Sequence, residues 1–154
     1  INDTTIYSDV GMIILGKVIE SAAKMPLNIY VDSVVFKPLG MSSTFFNPPK
    51  DKVKRLVPTE INSYHNELIR GYVHDENAHS IGGIAGHAGL FSTAMDLAKF
   101  SQMMLNGGEL HGTRLLAPST VSLILENHTG DLDLWLPGPG MGFGLGLSLT
   151  LKSF

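Results

Sequence analysis

The feature that most constrains the fold is a stretch of helical periodicity between residues 9 and 24. Its apolar side chains recur three or four positions apart and are separated by polar or charged residues; they are Val10, Ile13, Ile14, Val18 and Ala22. This spacing places the apolar residues on one side of an α-helix. The pattern therefore predicts a helix that is mostly buried on that side.

Three further segments are typical of helices. They run from Pro26 to about Phe36, from Ala94 to Leu105, and from just after Pro118-Ser119 to about Glu126. Thr93 is a suitable N-cap for the second of these, because its hydroxyl can accept a hydrogen bond from the first turn. The buried stripe of the same helix is expected to consist of Leu97, Phe100, Met104 and Leu105.

Extended segments are fewer. Two short runs around 57–61 and 68–73 are separated by turn-forming residues, which predicts a hairpin. From Phe143 to Leu151, leucine or phenylalanine alternates with small or polar residues, which is the period of a strand. The sequence therefore predicts a mainly α chain of the α+β class, with residues 1–154 forming a single partial domain.

Composition excludes several classes of protein. The chain has 154 residues, of which 44% are hydrophobic and 16% charged, so a packed core is expected. A net charge of -3 and the lack of a basic stripe argue against nucleic acid as a partner. No apolar run approaches the roughly 20 residues of a membrane span. Because the chain has no cysteine, thiolate nucleophiles and cysteine-bound zinc are excluded.

The six histidines raise the hypothesis of a metal site, above all at His74 and His79. Residues five apart on a helix point about 140° away from one another, so these two rings would diverge. The His-Glu-x-x-His pattern of zinc proteases is also absent. We therefore expect no metal and no cofactor, and we interpret Val73–Ala78 as a polar loop in which Asp75 and Asn77 make turn hydrogen bonds.

Three blocks of sequence, in a fixed order, resemble the penicillin-recognising serine hydrolases, the superfamily of serine β-lactamases, D-Ala-D-Ala carboxypeptidases and related esterases. Tyr7-Ser8-Asp9 is similar to the Tyr-x-Asn motif that leads into a helix. Residues 36–44 resemble the family's Pro-Leu-Gly-Met turn, and residues 86–100 resemble its Gly-Gly-Leu-Phe-Ser-Thr-Ala block. The resemblance implies the helical subdomain of the β-lactamase/transpeptidase-like fold, with short strands and the start of the C-terminal sheet.

The resemblance also implies a reaction. In these enzymes the serine of a Ser-x-x-Lys motif attacks a carbonyl carbon, and the lysine and the motif tyrosine handle its proton. Tyr7 matches that tyrosine, and Asp9 stands where the family usually has Asn, so both are candidate catalytic residues. Since an ionised Asp only accepts hydrogen bonds, this change favours peptidase or esterase chemistry over β-lactam hydrolysis. As an alternative, Asp9 is an N-cap.

The same resemblance places the lining of the substrate cleft. Several family members carry a run like Val73–Ala78 before the glycine-rich block. Glycine at this density suits close approaches of the backbone near a site, or simply tight turns. The candidate lining residues are His74, Asp75, Asn77, Gly86 and His87. His87-Ala88-Gly89 also has the letters of the family's His-x-Gly motif, although the matching block favours a different segment.

The nucleophile itself is expected elsewhere. Ser21-Ala22-Ala23-Lys24 has the letters of Ser-x-x-Lys, but it closes a helix and follows Tyr7 instead of preceding it. We therefore expect the nucleophile upstream of Ile1, in a parent protein that acts on a small molecule or a peptidoglycan peptide. The family suggests a periplasmic or secreted bacterial location.

Two further expectations concern the chain as a fragment. A strand over 143–151 with no complete sheet to join would leave an exposed edge, so the fragment is expected to self-associate. The alternative to an enzyme is a noncatalytic, β-lactamase-like module that binds or scaffolds within a larger cell-wall enzyme.

Overall fold

The computed structural model describes residues 6–62, 67–130, 141–146 and 148–150. Within these ranges there are five α-helices: α1 (Asp9–Ala23), α2 (Leu27–Val31), α3 (Glu76–Ser80), α4 (Ala94–Leu105) and α5 (Pro118–Leu125). The mainly α character that the sequence predicted is confirmed. Among the described residues, no helix combines the length and the apolar character needed to cross a bilayer.

Eight short strands form four antiparallel pairs in the same ranges. They are β1 (Phe45–Phe46) with β4 (Leu90–Phe91), β2 (Ile61–Asn62) with β3 (Glu67–Leu68), β5 (Glu109–Leu110) with β6 (Thr113–Arg114), and β7 (Met141–Phe143) with β8 (Ser148–Thr150). Residue contacts divide the chain into two compact units. One unit is 9–100, and the other combines 1–8 with 101–154, so the boundary falls within α4.

Helix α1 has the predicted bounds to within one residue, but its exposure differs from the prediction. It ends where Lys24 takes a left-handed conformation with φ of 54°. Val10, Ile14 and Val18 were expected to be buried, yet they are 62%, 57% and 56% exposed. The buried residue of the helix is Gly16, which lies against the glycine-rich segment instead.

The segment after α1 follows the prediction closely. Pro26 precedes α2, and its carbonyl accepts a hydrogen bond from the N–H of Tyr30 at 2.9 Å. After α2 the chain continues as a π-helical turn, Asp32–Phe36, which completes the helical run expected up to Phe36. Buried apolar residues of this region and the following turn supply core for the unit 9–100; they are Leu27, Phe36, Leu39 and Met41.

The predicted hairpin is present, but its strands β2 and β3 are shorter than the predicted runs and lie closer to the turn. Ile61 pairs with Leu68, and the ladder extends through the N–H of Thr59 to the carbonyl of Ile69 at 3.0 Å. Ile69 is buried, and so is Val73 just beyond it. The hairpin therefore leads directly into the segment that carries the candidate lining residues.

Helix α4 begins and ends at the predicted residues. Thr93 is its N-cap, since the N–H of Asp96 donates to Thr93 Oγ1 at 3.3 Å. The predicted buried stripe is wrong in part, because Leu97 and Leu105 are exposed while Met103 is buried. Asp96, a charged residue of the same helix, is buried as well.

In the unit formed by 1–8 and 101–154, the prediction of one long strand over 143–151 is wrong. The segment is a hairpin in which Phe143 of β7 pairs with Ser148 of β8. Gly146, with φ of 78°, lies in the connection, and a left-handed conformation of this kind turns the chain back on itself. Two leucines of the predicted run, Leu147 and Leu151, lie outside the described residues.

Candidate functional site

The glycine-rich segment packs directly on the backbone of α1. A Cβ on Gly86 would stand 2.1 Å from the carbonyl oxygen of Met12, and a Cβ on Gly16 would stand 3.3 Å from the N of Gly86. No residue larger than glycine fits at position 86 without a shift of the backbone. This contact brings the first turn of α1, which starts at Asp9, to the segment that carries His87.

Asp75 organises the polar side of the same region. Its Oδ1 accepts a hydrogen bond from the N–H of Ala78 at 2.7 Å, which makes it the N-cap of α3. The Ala78 N–H and the His87 ring hold the pKa of Asp75 below its usual value, and burial acts in the opposite direction. The turn hydrogen bond expected of Asp75 is therefore present.

The expected polar loop over Val73–Ala78 is partly wrong, because α3 begins at Glu76. The sequence predicted that the side chain of Asp75 would make a hydrogen bond within a loop. In the structure this hydrogen bond goes to an N–H in the first turn of α3, so Asp75 caps a short helix. Asn77 lies exposed in the first turn of α3, and its carbonyl accepts a hydrogen bond from Ser80 Oγ at 2.8 Å.

His87 is the most enclosed of the candidate residues. Its side chain is only 4% exposed, and its Nε2 lies 2.8 Å from Asp75 Oδ1. Its Nδ1 is buried and has no hydrogen-bond partner in the described part of the chain. Asp9, Asp75 and His87 each place one oxygen or nitrogen atom within 4.8 Å of the others. The structure thus brings together three predicted site residues from separate parts of the sequence.

A polar cavity of about 350 Å³ adjoins Asp75. Its lining contains three of the predicted residues, and the full set is Glu60, Asn62, Ile69, His74, Asp75, Glu76 and Asn77. His74 Nε2 lies 2.8 Å from Glu60 Oε1 across this lining. With three carboxyl groups in its wall, the cavity suits a ligand that carries hydrogen-bond donors or positive charge.

Tyr7, the other candidate catalytic residue, precedes α1 by two positions and belongs to the unit formed by 1–8 and 101–154. Its ring is 66% exposed and its centroid lies 6.4 Å from that of Phe143. The exposed phenol is accessible to solvent, whereas the Asp9–Asp75–His87 group lies within the unit 9–100.

Ser21 lies in the last turn of α1, and Lys24 follows the helix in a left-handed conformation. A nucleophile and its lysine lie on one face of a helix three residues apart when both are helical. Lys24 lies outside the helix, so the structure supports the interpretation of this run as a helix end.

Sequence reasoning missed a buried network that joins two of the three family-like blocks. Asp96 accepts hydrogen bonds from the N–H of Ser43 at 2.7 Å, from Thr44 Oγ1 at 3.0 Å and from Lys99 Nζ at 3.0 Å. Lys99 also donates to the carbonyl of Gly40. Burial alone would raise the pKa of Asp96, but the hydrogen bonds from these donors lower it overall.

The sequence held a partial signal for this network. Thr93 followed three residues later by an acidic residue resembles a capping box, which would direct Asp96 back to its own helix terminus. Glu60 and Asn62 of the cavity were also missed. They come from the hairpin, whose pairing brings them near Asp75 although 13 or more positions separate them in sequence.

Comparison with known proteins shows what this chain is similar to. The beta-lactamase family model matches residues 2–151. A relative from Salmonella newport, named "Putative D-alanyl-D-alanine carboxypeptidase", is 42% identical over 76% of this chain, and the alignment covers 30% of that protein. A relative of the same name from Salmonella paratyphi B gives the same values. The chain thus spans less than a third of the length of the curated relatives it matches.

Solved structures share the fold. Simvastatin synthase (LovD) from Aspergillus terreus superposes with a TM-score of 0.71 at 23% identity, covering 98% of this chain and 41% of that one. A penicillin-binding protein from Bacillus halodurans gives 0.70 at 19% identity, covering 97% and 41%. The match of the family model to nearly every residue, with the helices and motif blocks in the order described above, shows that this chain belongs to the beta-lactamase family.

Proposed function

We propose that this chain is part of a serine hydrolase that cleaves D-amino-acid peptides through an acyl-enzyme intermediate. The family assignment and relatives named as carboxypeptidases support a serine hydrolase. A D-amino acid amidase from Ochrobactrum anthropi, with a TM-score of 0.68 at 20% identity over 95% of this chain and 40% of that one, has the same fold. β-Lactams and esters are the alternative substrates.

The observation that carries the proposal is the position of Asp9. It is the third residue of the block that resembles Tyr-x-Asn, and it lies within 4.8 Å of Asp75 and His87, two predicted lining residues. The adjacent cavity of about 350 Å³ is polar and is large enough to take part of a short peptide. In this proposal Tyr7 handles the proton of a serine supplied by the longer protein.

The test uses the longer protein that contains this chain. Release of D-alanine from a diacetyl-L-lysyl-D-alanyl-D-alanine peptide is measured beside hydrolysis of a chromogenic cephalosporin and of a nitrophenyl ester. Tyr7→Phe is expected to lower kcat by roughly 10²–10⁴, the range for loss of a general acid–base group. Tyr30→Phe, in α2, is the matched control and is expected to leave kcat unchanged.

An unchanged kcat in Tyr7→Phe would contradict the role of Tyr7. Preference of the wild-type protein for the cephalosporin or the ester would contradict the choice of substrate.

A second candidate function is a noncatalytic module that binds peptides. The observation in its favour is Asp9, because a carboxylate replaces the amide that both donates and accepts hydrogen bonds. Saturable binding of the peptide by the longer protein, with no D-alanine released, would favour this module over the enzyme.

A further inference from the structure

Asp9, Asp75 and His87 form the most concentrated group of potential metal ligands among the described residues. They come from the first turn of α1, from the N-cap of α3 and from the glycine-rich segment. One ligand atom of each lies within 4.8 Å of the other two. Ligand bonds to zinc are about 2.0–2.2 Å long, so atoms up to about 4.4 Å apart can contact one ion directly, and a pair near the 4.8 Å limit needs a small closing movement of its side chains.

The state of His87 supplies an independent reason to expect a ligand. Its side chain is 96% enclosed, since only 4% is exposed, and Nδ1 is buried without a hydrogen-bond partner in the described part of the chain. An unpaired polar atom in such a position is unfavourable. Nε2 meanwhile faces Asp75 Oδ1 at 2.8 Å.

The negative charges of Asp9 and Asp75 also favour a bound cation. Two carboxylates within 4.8 Å of each other repel unless a positive charge lies near both. A divalent ion would neutralise both carboxylates and would also occupy a nitrogen of the imidazole ring.

We propose that Asp9, Asp75 and His87 bind a divalent transition-metal ion such as Zn²⁺. One nitrogen and two carboxylate ligands favour zinc or manganese over magnesium or calcium, which prefer oxygen atoms alone. The ion joins α1 to the segment from α3 to the glycine-rich block, so it stabilises the unit 9–100. The proposal replaces the expectation from sequence that the chain has no metal site, and it does not depend on the proposed hydrolase activity.

The chain contains a matched control. His74 and Glu60 form a second pair of imidazole and carboxylate at the same distance of 2.8 Å, but both side chains are exposed, at 49% and 59%. No second carboxylate joins them in a cluster of the kind formed by Asp9, Asp75 and His87 within the described ranges. His74→Gln therefore removes a histidine with a similar partner and leaves the proposed site intact.

The test is a titration of the full 154-residue chain, freed of metal by dialysis against a chelator, with Zn²⁺ alone. Calorimetry is expected to give one ion per chain, and the thermal midpoint of unfolding is expected to rise with Zn²⁺ because the ion binds the folded state. Asp9→Asn is expected to weaken binding by about tenfold or more and to remove the thermal shift. His74→Gln is expected to bind as wild type does.

His87→Gln is the stricter variant, and circular dichroism establishes first whether it folds. If it does not fold, Asp9→Asn decides, since this residue is half-buried and the substitution keeps its shape. Equal Zn²⁺ affinity in wild type and Asp9→Asn would overturn the proposal. So would the absence of Zn²⁺ binding by the wild-type chain.

Discussion

Gly86 lies against the carbonyl oxygen of Met12 so closely that a Cβ on Gly86 would stand 2.1 Å from that oxygen. Real side chains do not approach this distance, so the position accepts only glycine unless the backbone moves. The contact holds α1 beside the glycine-rich segment, and Asp9 and His87 lie on these two elements. The arrangement of the candidate site therefore depends on a residue that carries no chemistry itself.

Gly86→Ala is expected to destabilise the chain by about 1–3 kcal/mol, the usual range for overpacking at a tight contact. Gly16→Ala is the control from the other side of the same contact, where a Cβ would stand 3.3 Å from the N of Gly86. There the gain in helix propensity, about 1 kcal/mol, offsets much of the crowding. Urea unfolding of both variants measures the difference, and an equal loss in the two would contradict the argument.

Among the polar residues of the unit 9–100, Asp96 is expected to be the one whose substitution lowers the free energy of unfolding most. Asp96→Ala leaves the N–H of Ser43 and the hydroxyl of Thr44 without their buried acceptor. A loss of about 1–3 kcal/mol in the free energy of unfolding follows from such unpaired groups. Asp51→Ala, at an exposed position, is expected to change stability little. A loss no larger in Asp96→Ala than in Asp51→Ala would show that the network contributes nothing.

The same carboxyl predicts a pH dependence. The pKa of Asp96 is lower in the folded chain than its usual value of 3.8, so the unfolded state binds the proton more readily. Its contribution to stability is therefore complete above about pH 5 and is lost as pH falls through the folded pKa. Urea midpoints between pH 3 and pH 6 should fall less steeply in Asp96→Asn than in wild type. Asp51→Asn should keep the wild-type slope.

Local signals in the sequence predicted most of the helices, although the segment where α3 begins was expected to be a loop. The periodicity after Asp9 and the cap at Thr93 each act within a turn of the helix that they specify, and the observed bounds agree with them. Helix α5 begins at Pro118, slightly earlier than the start after Ser119 that the sequence predicted. The prediction of one strand after Phe143 was wrong because the alternation of apolar with small or polar residues continues through Gly146, where the chain turns. Periodicity describes a side-chain pattern and does not register a turn inside it.

The candidate site could be predicted only as a list of residues. Asp9 and Asp75 are 66 positions apart, and their approach depends on Gly86 lying against α1. The contact between Gly86 and α1 cannot be inferred from the spacing of residues along the chain. The metal hypothesis drawn from sequence consequently considered His74 with His79, because those two are neighbours in sequence, and it overlooked His87 with Asp9.

The 154-residue chain alone is expected to show no hydrolase turnover. Covalent catalysis needs an activated nucleophile, and the Ser21 that resembles one lies at the end of α1 beside a lysine outside the helix. Incubation with a chromogenic cephalosporin and nitrophenyl esters measures this. Turnover above buffer that disappears in Ser21→Ala, but persists in the control Ser33→Ala, would establish Ser21 as a nucleophile.

The last prediction is that the chain self-associates through α1. Val10, Ile14 and Val18 repeat every four residues and are each more than half exposed, so they form one apolar row along the helix. Contiguous apolar surface of this kind favours association with another chain. The structure moves the expected contact away from the segment after Phe143, where β7 and β8 already pair with each other.

Sedimentation of the wild-type chain over a range of concentrations is therefore expected to show a dimer or larger species. Ile14→Lys, at the centre of the apolar row, should shift the chain towards monomer, because a charge would have to be buried in the contact. Val57→Lys is the matched control, since Val57 is 86% exposed but lies in a loop outside that row. A wild-type chain that stays monomeric, or equal dissociation in both variants, would remove α1 as the contact.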